Sequence, residues 1–264
     1  MRAEMRYKPL SFHVCHAPVA CDPVKSLQSC SVPKRIITHR WIYAHQPEHK
    51  MIRFVSLDMD GTLVNSRFVE KVWMEGIPRL YAERSGLDFA AAKEYVVGEY
   101  MKIGSDHLEW YDLRYWIDKF ELNIGRDELL ELYEDEIETY PEVQEALDIL
   151  AESYNLVVTS NAAREFIDIE LDGLADYFCE TFSATSDFRE VKKSPLLYSA
   201  VCAALGAKPF EVMHIGDHYN YDYESPLQAG LDALFLDRKS MRSGSEVVGD
   251  LREAVELICN LRVR

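Results

Sequence analysis

Ile52-Arg53-Phe54-Val55-Ser56-Leu57-Asp58-Met59-Asp60-Gly61-Thr62 is a short apolar run that ends abruptly on two acids and a glycine. It reads as a buried strand opening into a tight loop. From there to about Tyr140 the pattern is helical and rich in aromatics, with no strand signal. Gly76 and Pro78 are expected to break its first helix, and Gly86, Gly104 and Gly125 mark turns.

After Tyr140 the rhythm changes. Pro141 suits the first turn of a helix carrying Val143, Ala146, Leu147, Leu150 and Ala151 on one face. Leu156–Thr159 reads as a strand ending at Ser160-Asn161, followed by a helix through Phe166, Ile167 and Leu171 and a strand at 178–183. Ser194-Pro195 opens a helix with Leu196, Leu197, Ala200, Val201, Ala204 and Leu205 expected inward and Gly206 as its stop. Val212–Ile215 is a strand ending at Gly216-Asp217. Ser225-Pro226 starts a short helix, Ala233–Leu236 is a strand, and Val247, Leu251, Ala254, Val255 and Ile258 are spaced for a last helix. Strands alternating with helices predict an α/β layer structure with a mostly parallel sheet. The helical stretch 66–140 interrupts it after the first strand, as an inserted second domain would.

In an open parallel sheet, ligands bind beyond the carboxyl ends of the strands. The residues that follow each strand are Asp58 and Asp60, then Ser160 and Asn161, then Asp217 and Asp222. Lys192 and Lys193 lie just before the helix at Pro195. Carboxylates gathered at one locus repel one another unless a cation is present, and hard oxygen donors suit Mg²⁺, which joins carboxylates to substrate phosphate. A carboxylate can attack phosphorus and divide one difficult displacement into two. A second acid can protonate the leaving oxygen and later accept a proton from water. A lysine, a hydroxyl and an amide hold phosphoryl oxygens.

These motifs resemble those of the haloacid dehalogenase (HAD) superfamily. Asp58-Met59-Asp60-Gly61-Thr62-Leu63-Val64 is similar to its first motif, DxDGT, and Val157-Val158-Thr159-Ser160-Asn161 to its second. Lys192-Lys193-Ser194-Pro195-Leu196-Leu197-Tyr198 is similar to the third, KPxPxxF, and Gly216-Asp217-His218-Tyr219-Asn220-Tyr221-Asp222 to the fourth, GDxxxxD. The resemblance covers about residues 51–240. It implies a Rossmann-like doubly wound core over 51–65 and 141–264, with 66–140 as an all-α cap of the C1 type. It implies Asp58 as nucleophile and Mg²⁺ ligand, and Asp60 as general acid/base with its backbone carbonyl on the metal. Ser160, Asn161 and Lys192 would hold phosphate, Asp217 would bind magnesium and Asp222 would support the metal's waters. Alignment through the later proline selects Lys192, but the usual neighbouring proline is here Lys193, so the two lysines stay open.

Composition narrows the partners. The net charge of −16 argues against nucleic acid, whose binding rests on Lys and Arg. No apolar run reaches about 18 residues, so no membrane span is expected. The charge is uneven: residues 1–50 hold eight Lys/Arg against three Asp/Glu, with five of the eight His and Cys15, Cys21 and Cys30. His13, His16 and Pro18 interrupt the one stretch that resembles a secretion signal, and the cysteine spacing lacks the close pairs of zinc sites. This segment is read as a disordered extension or an upstream stretch that is not native, with Met51 as the start. Cys179, Cys202 and Cys259 are widely separated, which suits reduced thiols in a cytoplasmic protein. Oligomeric state is not legible.

Taken singly, each motif has a plainer explanation. Ser160-Asn161 is a good helix cap, and either lysine is a plausible surface charge. His214 reads as a packed core histidine, whereas His218 lies at the site edge. The aromatics of 106–116 fit the core of the helical segment, with His107, Trp110 or Arg114 over the site as the sharper alternative. The acidic run 131–138 reads as a solvated face. The expected activity is hydrolysis of a small phosphomonoester through an aspartyl phosphate. Dehalogenation, phosphonate cleavage, phosphosugar mutation and a silent binding protein are the alternatives. Asp60 weighs against dehalogenation, and the intact Asp58, Asp60 and Asp217 weigh against silence.

Overall fold

A computed structural model describes residues 51–261; the expectations for residues 1–50, including disorder and a start at Met51, lie outside the described residues. Six strands form one sheet: β1 (Phe54–Leu57), β2 (Asn155–Ser160), β3 (Phe178–Ser183), β4 (Val212–Gly216), β5 (Asp232–Leu236) and β6 (Val247–Val248). Their order is β3-β2-β1-β4-β5-β6 and every neighbouring pair is parallel. The chain winds outward from β1 to β3, then returns to the other side of β1 at β4. Strand order therefore reverses at β1, which opens a crevice beyond its carboxyl end.

Five helices lie within the insertion that follows β1: α1 (Arg67–Lys71), α2 (Ile77–Ser85), α3 (Phe89–Ile103), α4 (Leu113–Lys119) and α5 (Arg126–Glu131). The remaining helices flank the sheet: α6 (Val143–Ala151), α7 (Arg164–Glu170), α8 (Ala184–Asp187), α9 (Pro195–Ala204), α10 (Ser225–Gln228) and α11 (Leu251–Leu261). The doubly wound α/β reading of the sequence is what this arrangement gives.

Alternation along β1 divides the core. Val55 and Leu57 face α6 and α11, packing with Leu147, Leu150, Ile215, Leu251 and Val255. Phe54 faces the other side, with Val157, Val212 and the Leu197, Tyr198 and Val201 stripe of α9. Each fully buried side chain of this kind contributes about 1.5–3 kcal/mol. The helical insertion has a third core of Phe68, Val72, Val96, Trp116, Phe120 and Leu129, which also takes in Ala163 and Phe166 beside β2. The chain leaves for the insertion and returns from it side by side. Asn65 N–H donates to Glu138 O at 3.0 Å and Tyr140 N–H to Leu63 O at 3.1 Å, while Asn65 Nδ2 donates to Glu138 Oε2 at 2.7 Å.

Two local expectations need correction. Gly76 and Pro78 do not break the first helix of the insertion: α1 runs through a π-helical turn, Val72–Gly76, directly into α2. Pro78 has no N–H to give to the carbonyl four residues back, and a local change of hydrogen-bond register absorbs that loss without a break. Val247 belongs not to the last helix but to β6, where Phe235 N–H donates to Glu246 O and Asp237 N–H to Val248 O. Two residues are too short a strand for alternation to reveal.

Helix α7 ends on Glu170, which is 1% exposed and whose two carboxylate oxygens have no hydrogen-bond partner among the described residues. Burial raises its pKa to about 10, and the charges of Asp60 and Asp58 push the same way. A folded pKa above the unfolded value of 4.5 means that Glu170 costs least stability below that value. The cost grows as pH rises toward about 10. Glu170→Gln should therefore change the melting temperature little near pH ~5 and raise it by several degrees near pH ~8. An equal shift at both, followed by circular dichroism, would contradict a neutral buried carboxyl.

Candidate active site

The loop after β1 is wound around one carbonyl. Met59 C=O accepts from the N–H groups of Thr62, Leu63 and Val64, and Gly61 N–H donates to Val64 O at 2.7 Å. Asp58 N–H still bonds to Ile215 O at 2.9 Å, so the β1–β4 ladder fixes Asp58 where β1 ends. Gly61 has φ +79°, and a Cβ there would lie 2.2 Å from Asp217 Oδ2. Gly216 would likewise place a Cβ 2.5 Å from Asp222 Cγ. Both glycines clear space for carboxylates, which gives the Asp-Gly and Gly-Asp pairs of the sequence a steric reason.

Asp58, Asp217 and Asp222 meet: their carboxylate oxygens lie within 4.8 Å of one another. The Asp60 side chain stands outside this trio, and its Oδ1 is buried with no hydrogen-bond partner among the described residues. Ser160 is buried at the end of β2, with Oγ accepting from Ala162 N–H at 3.1 Å. Asn161 Nδ2 donates to Val191 O at 3.1 Å, tying this loop to the segment before α9, while its Oδ1 is buried and unpaired among the described residues. All of these line one cavity of about 520 Å³, together with Lys193, His218 and Arg238.

The two lysines part company. Lys193 is 2% exposed, and its Nζ lies 2.6 Å from Asp58 Oδ1 and 2.5 Å from Asp222 Oδ1. Lys192, the residue selected by alignment through Pro195, points outward and pairs with exposed Asp106 of the insertion. Of the two lysines left open by the sequence, Lys193 is the one that faces the carboxylates. Ser194 caps α9 by accepting from Leu197 N–H, and the residue directly before that cap turns inward.

The electrostatics define what the cavity lacks. Burial lifts the pKa of Asp58 well above the usual carboxylate range; Lys193 opposes the rise, while Asp222 and Asp217 add to it. Asp60 is pushed up to about 7, by burial first and then by Asp217. Asp217, at the open rim, is raised by partial desolvation and by Asp222. Burial also works against ionised Asp222, but Lys193 and His214 hold it well below its ordinary value. Three clustered carboxylates with one ammonium leave an excess of negative charge. A divalent cation with a preference for oxygen would cancel it. The donor set thus fits a metal ion at Asp58 and Asp217. Asp222 is already engaged: Oδ1 by Lys193 and by His214 Nε2 at 3.2 Å, and Oδ2 by His218 N–H at 2.9 Å.

Two groups escaped the sequence reading. His214 is indeed a buried strand histidine, yet it links Ser56 Oγ (2.9 Å from Nδ1) to Asp222, and Ser56 in turn donates to Thr159 Oγ1 at 2.9 Å. This polar row crosses β2, β1 and β4 beneath the carboxylates. Arg238 donates to Gly61 O at 3.0 Å, Thr62 O at 2.8 Å and Glu142 Oε1 at 2.6 Å, and stacks 3.5 Å over Tyr140. It clamps the loop that carries Asp60. The rule that flagged residues after the other strands applies to Arg238 after β5 and was the available signal. Of the three candidates in the helical segment, Trp110 lines a cavity that reaches Asp60, whereas His107 and Arg114 line a different one.

A doubly wound sheet with Asp58 and Asp60 at its switch point defines a class of hydrolase. The family description "haloacid dehalogenase-like hydrolase" matches residues 52–230, and the chain belongs to that family. A curated relative, GMP/IMP nucleotidase YrfG of Escherichia coli (strain K12), is 29% identical over 168 residues, covering 62% of this chain and 73% of the relative. Among solved structures, a HAD phosphatase from Thermococcus onnurineus superposes with a TM-score of 0.67 at 24% identity, over 78% of this chain and 98% of that one. A 2-haloacid dehalogenase from Pseudomonas syringae pv. Tomato DC3000 gives 0.59 at 21% identity, over 80% of this chain and all of the other. Both likenesses concern the fold.

Burial separates the lysines energetically. Lys193→Met strands two buried carboxylates and should cost about 3–5 kcal/mol. Lys192→Met removes only an exposed, solvent-screened pair with Asp106 and should cost far less. Urea unfolding of both variants gives the comparison, and equal losses would reverse the assignment of the inward lysine.

Proposed function

We propose that this hydrolase removes phosphate from a small phosphomonoester through an aspartyl-phosphate intermediate and depends on Mg²⁺. The observation that carries this reading is the pairing of Asp58, set against Lys193 and the acidic trio, with a separate buried Asp60 whose pKa, raised to about 7, lets it both give and take a proton near neutral pH. Dehalogenation needs no such proton donor. The nucleotidase named for the Escherichia coli relative agrees with a phosphorylated substrate.

The roles follow the geometry. Asp58 forms a bond to phosphorus while the bond to the leaving oxygen breaks, and Asp60 gives its proton to that oxygen. Water then attacks phosphorus, Asp60 takes a proton from it, and the bond to Asp58 breaks to release inorganic phosphate. Lys193 balances the charge on Asp58 and on the transferring group. Ser160 Oγ and the Asn161 N–H hold phosphoryl oxygens, since positioning and charge stabilisation dominate this chemistry. Magnesium held by Asp58, Asp217 and the Asp60 carbonyl, with Asp222 behind them, would neutralise phosphate charge. Residues 66–140 serve as the cap over the site, with residues 51–65 and 141–264 as the core. The three described cysteines, Cys179, Cys202 and Cys259, are free, and no described helix is long and apolar enough to cross a membrane, which is compatible with a cytoplasmic setting.

The parent should release phosphate from a general aryl phosphate with Mg²⁺ and not with chelator. Asp58→Asn should lose at least about 1000-fold in kcat. Retention of metal-dependent turnover by the variant would remove Asp58 from the reaction. Asp217→Asn should raise the Mg²⁺ concentration needed for half-maximal activity by about tenfold or more, and an unchanged requirement would take Asp217 out of the metal site.

A further inference from the structure

Beside the carboxylate cavity lies a smaller one of about 270 Å³, and Asp60, Asn161 and Ala162 line both. Its other walls come from the insertion and from α7: Trp73, Met74, Tyr100, Trp110, Tyr111 and Phe166. Asp60 itself stands at the junction. An ester whose phosphate lies on the Asp58 side therefore presents the first carbons beyond its leaving oxygen to rings and a thioether.

Few polar atoms along this wall are free to receive a hydroxylated chain. Tyr100 O–H donates to Trp73 O at 3.2 Å, and Tyr111 O–H to Ser105 O at 3.2 Å. Asn161 Nδ2 is spent on Val191 O, and exposed Glu70 accepts from Ser66 Oγ at 2.9 Å. Asp60 is reserved for the leaving oxygen. Asn161 Oδ1, an acceptor, is left without a partner among the described residues, and the indole N–H groups of Trp73 and Trp110 can only donate. A carbon chain with a hydroxyl at every position would lose its water here and recover few hydrogen bonds. An apolar chain gains by the same burial, and an aromatic one gains edge and face contacts besides. The volume is near the lower end for small-molecule pockets, which suits one ring or a short branched chain. No array of donors and acceptors is present that would read the edge of a particular ring.

From these observations we infer that the substrate is the phosphate monoester of a hydrophobic alcohol and not a sugar phosphate, with its apolar body held against Trp73, Met74, Trp110 and Phe166. The inference rests on the phosphomonoesterase reading for the direction of the leaving group. Hydrolysis would release the alcohol, its oxygen carrying the proton from Asp60, and inorganic phosphate that takes its new oxygen from water. The apolar pocket itself is testable without turnover.

Benzyl phosphate and glycerol 3-phosphate are both esters of a primary alcohol, so the bond that breaks is alike and the body behind it differs. For the full chain with Mg²⁺, kcat/KM for benzyl phosphate should exceed that for glycerol 3-phosphate by about 10–100-fold, the worth of burying one apolar ring. Trp110→Ala should bring the ratio to within about threefold, mainly through KM, and Trp110→Phe should restore most of it. Met74→Gln keeps the bulk of the wall and adds an amide, and it should lower the ratio by about threefold or more. In parallel, calorimetry with Mg²⁺ should show benzylphosphonate, whose carbon–phosphorus bond is not cleaved, binding about 10–100-fold tighter than methylphosphonate. That preference together with no phosphate release from any ester would leave the pocket standing and sink the phosphomonoesterase reading. Glycerol 3-phosphate or a nucleoside monophosphate turned over as well as benzyl phosphate, with the two phosphonates bound equally, would overturn the apolar assignment and leave that reading intact.

Discussion

Everything at the carboxyl edge of the sheet is arranged around one buried ammonium. Lys193 lies between Asp58 and Asp222, and without it two carboxylates taken out of water would face each other across the crevice. Such a cluster is costly to build, because desolvating several charges takes back much of what their attraction returns. The folded chain tolerates it because the surrounding parts are rigid. Asp58 is locked into the β1–β4 ladder, Gly216 makes room for Asp222, and the Ser56–His214 row anchors Asp222 from below. One lysine among several acids leaves the pocket short of positive charge, and that shortfall is the physical reason its donor set suits a metal ion.

The same constraint explains Arg238. A loop that turns twice within seven residues and carries Asp60 has carbonyls pointing away from the sheet, and two of them end on one guanidinium. Stacking on Tyr140 and pairing with Glu142 fix that guanidinium from the far side. Asp58 and Asp60 are thus held by different means, Asp58 by the sheet and Asp60 by the clamp. Their relative placement is preorganised before any substrate arrives.

Much of this was legible in the sequence because strand ends announce themselves. Asp58, Ser160 and Asp217 each follow an apolar run, and the alternation of strands with helices implies that those ends share an edge. What stayed hidden has local causes. Lys192 and Lys193 differ only in which way a loop residue turns, and no periodicity reports that. His214 reads as core because it is core; its second role depends on Ser56 and Thr159, which reach it only through the register of three strands. The π-helical turn before Pro78 and the two-residue strand β6 are smaller than the windows over which periodicity is measured. Glu170, in a helix whose other inward residues are apolar, gives no pattern that would set it apart from an exposed acid.

The side-by-side segments at residues 63–65 and 138–140 have a consequence for how the chain is assembled. Because departure and return are bonded to each other, the sheet meets more than seventy residues of insertion as if they were a short turn. The entropy lost in closing a loop grows only with the logarithm of its length, so the sheet's topology is nearly indifferent to what the insertion contains. A lineage can lengthen, shorten or redecorate that segment while the ladder carrying Asp58 keeps its register. The fold thus constrains the sheet edge that carries Asp58 far more tightly than it constrains the make-up of the insertion.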